Sequence, residues 1–198
     1  MASVFVIGVS TTEAVNFYCA FSLDVNWPIL GNVYTCRVVV SEAGINNNVL
    51  ETVRGTHLSG KGNADVQALT VLYQNFPIIP KDTNFFFPNL TVIRYLATKM
   101  TTITAEDLRP FPKLRVLNLA YNEMKNVDGN LFRYNPNLQL IHLGWNKIDN
   151  IGRNAFASLN QLSTLIFDSN RCANARANNR SDTLNLITRL QSGCPPKA

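Results

Sequence analysis

LRVLNLAYNEM (Leu114–Met124), LQLIHLGWNKI (Leu138–Ile148) and LSTLIFDSNRC (Leu162–Cys172) stand 24 residues apart and match position for position. The shared frame, L-x-x-L-x-L-x-x-N-x-L, extends upstream to first positions at Leu90 and Val66, so five copies follow one another without insertion. Fourth positions are Leu69, Ile93, Leu117, Ile141 and Leu165; sixth positions are Val71, Tyr95, Leu119, Leu143 and Phe167. Apolar residues at four and six, separated by variable ones, make one short strand per copy with its apolar side chains turned one way. A unit this short cannot bury that face alone, so successive units must stack. The expected fold class is an α/β solenoid, an arc with a concave parallel β-sheet.

The remaining positions fill in the turns. Position nine is Gln74, Thr98, Asn122, Asn146 and Asn170. An Asn amide there both donates to and accepts from backbone groups of the turn, so the last three units should carry a ladder that satisfies buried amides. With Gln and Thr in the first two, that ladder should be weaker near the N-terminal end. Ile79, Ile103, Val127 and Ile151 recur at the same period, as do Leu108, Phe132 and Phe156. These belong to the convex side of the core.

The ends depart from the frame. Asn16–Leu23 and Val33–Val40 read as two strands joined by Asp24–Asn32, a hairpin cap, and Val49–Val53 as a further strand. Gly55–Asp65 reads as an exposed loop feeding the first unit. After Asn170, Ser181 is the expected N-cap of a helix whose buried stripe is Leu184, Ile187 and Leu190, and Gly193 with Pro195 and Pro196 ends it. Four cysteines sit in two terminal pairs, Cys19 with Cys36 and Cys172 with Cys194. Local pairing follows because the two ends of a rigid stack lie too far apart to bridge. Metal binding is disfavoured: there is no C-x-x-C, and His57 and His142 are remote from both pairs.

At 198 residues with 46% hydrophobic and 16% charged residues, the chain is expected to fold rather than stay disordered. The expected organisation is a leader or truncated signal peptide over 1–14, an N-terminal disulfide cap over 15–65, repeats over 66–171 and a C-terminal disulfide cap over 172–198. The formal charge of +5 gathers toward the C-terminus, where Arg171, Arg176, Arg180, Arg189 and Lys197 face only Asp182. That end reads as a solvated basic cap, and nothing in it resembles a nucleic-acid reader. There is no 18-residue apolar stretch and so no transmembrane segment is expected.

The repeats resemble the 24-residue class of extracellular leucine-rich repeat proteins. The segment Cys19…Asn26-Trp27-Pro28-Ile29…Gly31-Asn32-Val33-Tyr34-Thr35-Cys36 resembles the N-terminal cap of small secreted leucine-rich repeat proteins of flies, mosquitoes and midges. Asn170-Arg171-Cys172…Leu190…Cys194-Pro195 is similar to their C-terminal cap. The resemblance implies a secreted, extracellular, non-enzymatic module that binds other proteins, and it carries no ligand over.

A partner is expected on the concave face. Position five reads Thr70, Arg94, Asn118, His142 and Ile166; position eight reads Tyr73, Ala97, Tyr121, Trp145 and Ser169; position seven ends at Asp168. Strands lie about 4.8 Å apart, so like positions on adjacent rungs reach a common ligand. Tyr73, Arg94, Asn118, Tyr121, His142, Trp145 and Asp168 are therefore the candidate ligand-binding residues, of types that dominate interface energetics. The competing reading is that the chain's own loops cover one flank, or that the aromatics pack on neighbouring rungs. Homodimerisation through the arc, or carbohydrate stacking on Tyr121 and Trp145, are the alternative functions. His142 lacks a neighbouring nucleophile, so no catalytic, cofactor or metal site is expected, and no enzyme. The sequons Asn89-Leu90-Thr91 and Asn179-Arg180-Ser181 make Asn89 and Asn179 candidate glycosylation sites.

Overall fold

The computed structural model describes residues 14–40 and 48–196. All but the last residue of the leader expected over 1–14 lie outside them. In chain order the strands are β1 (Val15–Trp27), β2 (Gly31–Val40), β3 (Leu50–Arg54), β4 (Ala68–Leu72), β5 (Val92–Leu96), β6 (Val116–Asn118), β7 (Asn126–Val127), β8 (Leu140–His142), β9 (Asn150–Ile151), β10 (Thr164–Ile166) and β11 (Arg176–Ala177). The helices are α1 (Thr83–Phe86), α2 (Ala105–Leu108) and α3 (Arg180–Gly193).

The 24-residue frame becomes geometry directly. β4, β5, β6, β8 and β10 pair in parallel with third, fourth and fifth positions of adjacent units aligned, as in Leu69 with Ile93 and Leu117 with Ile141. Together with the caps they form one sheet in the order β11-β10-β8-β6-β5-β4-β2-β1-β3. The fourth and sixth positions are all buried in a single continuous core. On the convex side β7 pairs with β9, and the rings of Phe132 and Phe156 stack 5.7 Å apart. The larger aromatic volume there fills the longer outer path of the arc.

The turn ladder forms as the amide chemistry requires. Asn122 Oδ1 accepts from the Thr98 and Met100 amides at 2.9 and 3.1 Å, and its Nδ2 donates to the carbonyls of Tyr95 and Leu119. Asn146 and Asn170 repeat this one and two rungs on. In the first two units Gln74 donates to the Val38 carbonyl and the Thr98 hydroxyl to Asn122 Oδ1. The N-terminal rungs thus reach their neighbours by other side chains.

At the N-terminus β2 extends the sheet by pairing in parallel with β4, and β1 runs antiparallel to β2. The hairpin is longer than its sequence indicates. Ser22, Leu23 and Asp24 still pair with Thr35, Tyr34 and Val33, so the connection shrinks from Asp24–Asn32 to Pro28–Leu30, after a bulge between Asp24 and Trp27. The Gly55–Asp65 loop is exposed for most of its length but fastened at His57. That ring stacks on Phe21 at 3.7 Å, while its nitrogens hydrogen-bond the Tyr34 hydroxyl and Asn63 Oδ1. Gly55 is required at the loop's start: its φ is +139°, and a Cβ would lie 2.2 Å from the Cys19 carbonyl oxygen. Cys19 is bonded to Cys36, with Cα atoms 5.1 Å apart.

At the C-terminus Asn179, not Ser181, caps α3. Its Oδ1 accepts from the Asp182 amide at 3.0 Å, which starts the helix two residues earlier than expected. The buried stripe shifts accordingly to Thr183, Leu186 and Leu190 with Ile187 at its margin, while Leu184 faces solvent. Thr183 ties the helix to the last repeat by donating to the Ser163 carbonyl. Cys194 is bonded to Cys172, with Cα atoms 5.3 Å apart.

Candidate functional site

Three rows of side chains cross the concave face. The third-position row is apolar: Ala68, Val92, Val116 and Leu140 are buried, and Trp27 and Leu30 from the hairpin tip pack against them with Val33. The tip therefore folds back over one flank of the sheet instead of capping only its end. Arg115 holds it there, donating to the Ile29 carbonyl at 3.4 Å and to Gln139 Oε1 at 2.9 Å. That flank is closed to a ligand by the chain itself.

The fifth-position row stays open and polar. It runs Arg37, Thr70, Arg94, Asn118, His142 and Ile166 across successive parallel strands, with Arg176 of β11 opposite Ile166. Several of its polar atoms lack partners. Thr70 Oγ1, Arg94 Nε and His142 Nε2 are shielded from solvent without a hydrogen bond. The Arg94 guanidinium lies 5.9 Å from the centre of the Trp27 ring and makes no ion pair within the described residues. Asn118 uses its Oδ1 to accept from the Ala120 amide.

The eighth position forms the opposite rim. Tyr73, Ala97, Tyr121, Trp145 and Ser169 all have φ between +53° and +58°. Their amides point to the next rung: Tyr73 N–H donates to the Leu96 carbonyl, Tyr121 to Gly144 and Trp145 to Asp168. Every unit turns out of its strand at this residue, so the side chains project in register from the rim. Tyr121 and Trp145 consequently stack, with centroids 4.7 Å apart and planes within 5°. They remain 49% and 37% exposed, and Tyr73, with Ala97 between it and Tyr121, is 75% exposed.

His142 joins the polar row to the aromatic rim, its ring at 65° to that of Trp145 with centroids 6.0 Å apart. Burial holds its imidazole below the usual range; nearby Asp168 opposes this, and Arg176 and Arg94 reinforce it. Gly144 makes room for the ring, since a Cβ there would sit 3.1 Å from His142 Nε2.

Arg94, Asn118 and His142 align on successive strands and His142 meets the Trp145–Tyr121 stack, Tyr73 stands farther along the rim with Ala97 between, and Asp168 lies near His142 with its carboxylate already engaged. Asp168 is 7% exposed and bonded to Arg176 at 2.5 Å, so its carboxylate is spent on closing the C-terminal end of the sheet. Sequence reasoning missed Trp27, Leu23 and Val25, which with Pro28, Arg94 and Asn118 line an open groove of about 570 Å³ beneath the hairpin tip. Leu23 ends the first expected strand, and Val25 and Trp27 fall in the connection that reads as a loop, so nothing in the spacing set them beside the concave row. Asn89 and Asn179 are exposed. The Asn89 amide donates to the Ala64 carbonyl, and the Asn179 amide donates to Asp182 within the helix cap. No helix of the described residues is long and apolar enough to cross a membrane.

Comparison with known proteins places the fold. Residues 112–171 match the Leucine rich repeat family. No curated protein matches the sequence. Among solved structures the chain is similar to one in the Toll – Spatzle complex of Drosophila, over 64% of this chain and 17% of that one, at 15% identity and a TM-score of 0.50. It is also similar to a chain of the TLR13-ssRNA13 complex, over 61% of this chain and 18% of that one, at 23% identity and a TM-score of 0.47. The chain therefore spans less than a fifth of the length of these structural relatives. The fold of this chain is a leucine-rich repeat arc with a C-terminal helix, and the likeness to the chain of the Toll complex is one of architecture.

Proposed function

We propose that this chain is a secreted, non-enzymatic binding module that holds an extracellular protein ligand on the concave face and its aromatic rim. One observation carries the reading. Tyr73, Tyr121 and Trp145 are displayed in register from residues that adopt a left-handed backbone, beside a row of polar groups lacking partners. Every unit takes that conformation at this position, so the backbone sets where the side chains project and the aromatic residue types carry the reading. Aromatic and Arg side chains on a rigid scaffold lose little entropy when they bind, and they supply most of the energy of protein interfaces. The disulfides at both ends suit an oxidising compartment, and Asn89 and Asn179 are proposed to carry glycans there. The likeness to a chain in the complex of Toll with Spatzle is consistent with a binding role for this architecture.

The test is affinity capture from extracellular fluid by the oxidised full chain, in parallel with Trp145→Ala. Captured proteins should fall more than tenfold in the variant while both proteins melt within a few degrees of each other. Equal capture removes the concave assignment. Sedimentation at low micromolar concentration reads the competing outcome, since a dimer lost in Trp145→Ala would reassign the surface to self-association.

A further inference from the structure

We infer that the groove under the hairpin tip receives a single carboxylate side chain, carried by an apolar stretch of a protein partner, with Arg94 as its counter-ion. This rests on the concave-face reading above and narrows it to one subsite and one ligand chemistry.

The guanidinium is the centre of the inference. Arg94 is half-buried, its Nε is sealed from water, and no acceptor within the described residues meets it. Trp27 lies over it, its ring centre 5.9 Å from the guanidinium carbon, and takes up none of its N–H donors. A guanidinium held in this way presents two parallel donors to a carboxylate. Its neighbours in the row add to the deficit of acceptors. Thr70 Oγ1 is buried without a partner, and the Asn118 side chain, oriented by the Ala120 amide on its oxygen, keeps its own amide donors free. These groups lie on consecutive strands about 4.8 Å apart, close enough for one acidic side chain to engage Arg94 and Asn118 together.

The walls of the groove select what carries the acid. Leu23 and Val25 are 52% and 61% exposed, and with Pro28 they line the side facing Arg94. Aliphatic side chains left in water at a groove mouth gain by covering apolar atoms of a ligand. Asp24 stands on the same rim, its Oδ1 accepting from Ser22. Its charge opposes every anion, a single carboxylate least and a polyanion most, and a lone guanidinium offers a polyanion few contacts. A sulfated glycan or a nucleic acid is therefore disfavoured against an apolar peptide bearing one Asp or Glu.

The experiment uses two pools of decapeptides rich in Leu, Val and Ile, identical except for a central Glu or Gln, titrated by fluorescence anisotropy into the oxidised full chain at low salt. The Glu pool should bind at least tenfold more tightly, and the difference should vanish in Arg94→Gln. Val25→Glu, at an exposed wall position, should also abolish the preference. Equal affinity for the two pools, or a Glu preference that survives in Arg94→Gln, overturns the inference. A highly sulfated oligosaccharide is the third arm: binding tighter than the Glu pool and dependent on Arg94 would also overturn it. Failure here leaves the broader reading intact where Trp145→Ala still loses captured protein. Loss of neither activity in Trp145→Ala and Arg94→Gln removes both.

Discussion

The imidazole of His142 meets Trp145 edge-to-face, with ring centroids 6.0 Å apart and planes at 65°, while Trp145 lies flat on Tyr121. The polar row and the aromatic rim are therefore one assembly, and a change of charge on His142 is felt by the indole. Protonated imidazole quenches a neighbouring indole. Tryptophan emission, measured in a Trp27→Phe background, should fall on acidification with a midpoint below about 6.5, the unperturbed histidine value. The transition should be absent in His142→Gln, and a midpoint above that value would contradict the burial of the ring.

The same group contributes to stability with a definite sign. Its folded pKa is lowered, so the unfolded chain takes up the proton first as pH falls. The contribution is complete above about pH 6.5 and is lost as pH drops through the lower folded value. Melting temperature should therefore decline more steeply below pH 6.5 in the wild type than in His142→Gln. Parallel curves would sink this assignment.

Tyr95 occupies a sixth position that is otherwise aliphatic or Phe, fully buried, with its hydroxyl lacking any hydrogen bond. Burial pushes its phenol far above the usual range. An unsatisfied buried hydroxyl costs about 1–3 kcal/mol, whereas the ring contributes ordinary core packing. Tyr95→Phe should accordingly stabilise the chain by about 1 kcal/mol in urea denaturation at unchanged m. A destabilised variant would mean that the hydroxyl has a partner.

Ala97 holds a φ of +53° at a rim position between Tyr73 and Tyr121 with only a methyl side chain. Glycine relieves the left-handed strain, about 1–2 kcal/mol, and returns about 0.4–1 kcal/mol of it as unfolded-state entropy. Ala97→Gly should raise the melting temperature by about 1–3 °C. Ala120→Gly, one rung on at the buried seventh position, should lower it instead.

Asn122 bonds backbone groups of its own turn and of the rung before, and it is 5% exposed. Asn122→Ala leaves those amides and carbonyls unsatisfied together and should cost about 3 kcal/mol or more. Asn170→Ala, where the same contacts are partly open to water, should cost about half as much. Equal losses would show that burial does not govern the ladder.

The primary structure determined the repeating part of this protein almost completely. A 24-residue spacing of Leu and Ile can bury its apolar atoms only by stacking, so strand direction, register, the Asn122–Asn146–Asn170 ladder and the convex Phe132–Phe156 stack follow from one local rule applied repeatedly. The residues of the polar row were legible for the same reason, since their faces are set by strand alternation. The tertiary structure alone decided what lies across that row. Trp27 packs on the apolar third-position row from a bulged hairpin far from it in sequence, and no periodicity records such a contact. It decided too that Asp168 is consumed by Arg176, and that position eight turns left-handed and lifts its aromatics to the rim. Local patterns specify which face a side chain leaves by; which distant segment arrives to cover it depends on the global path of the chain.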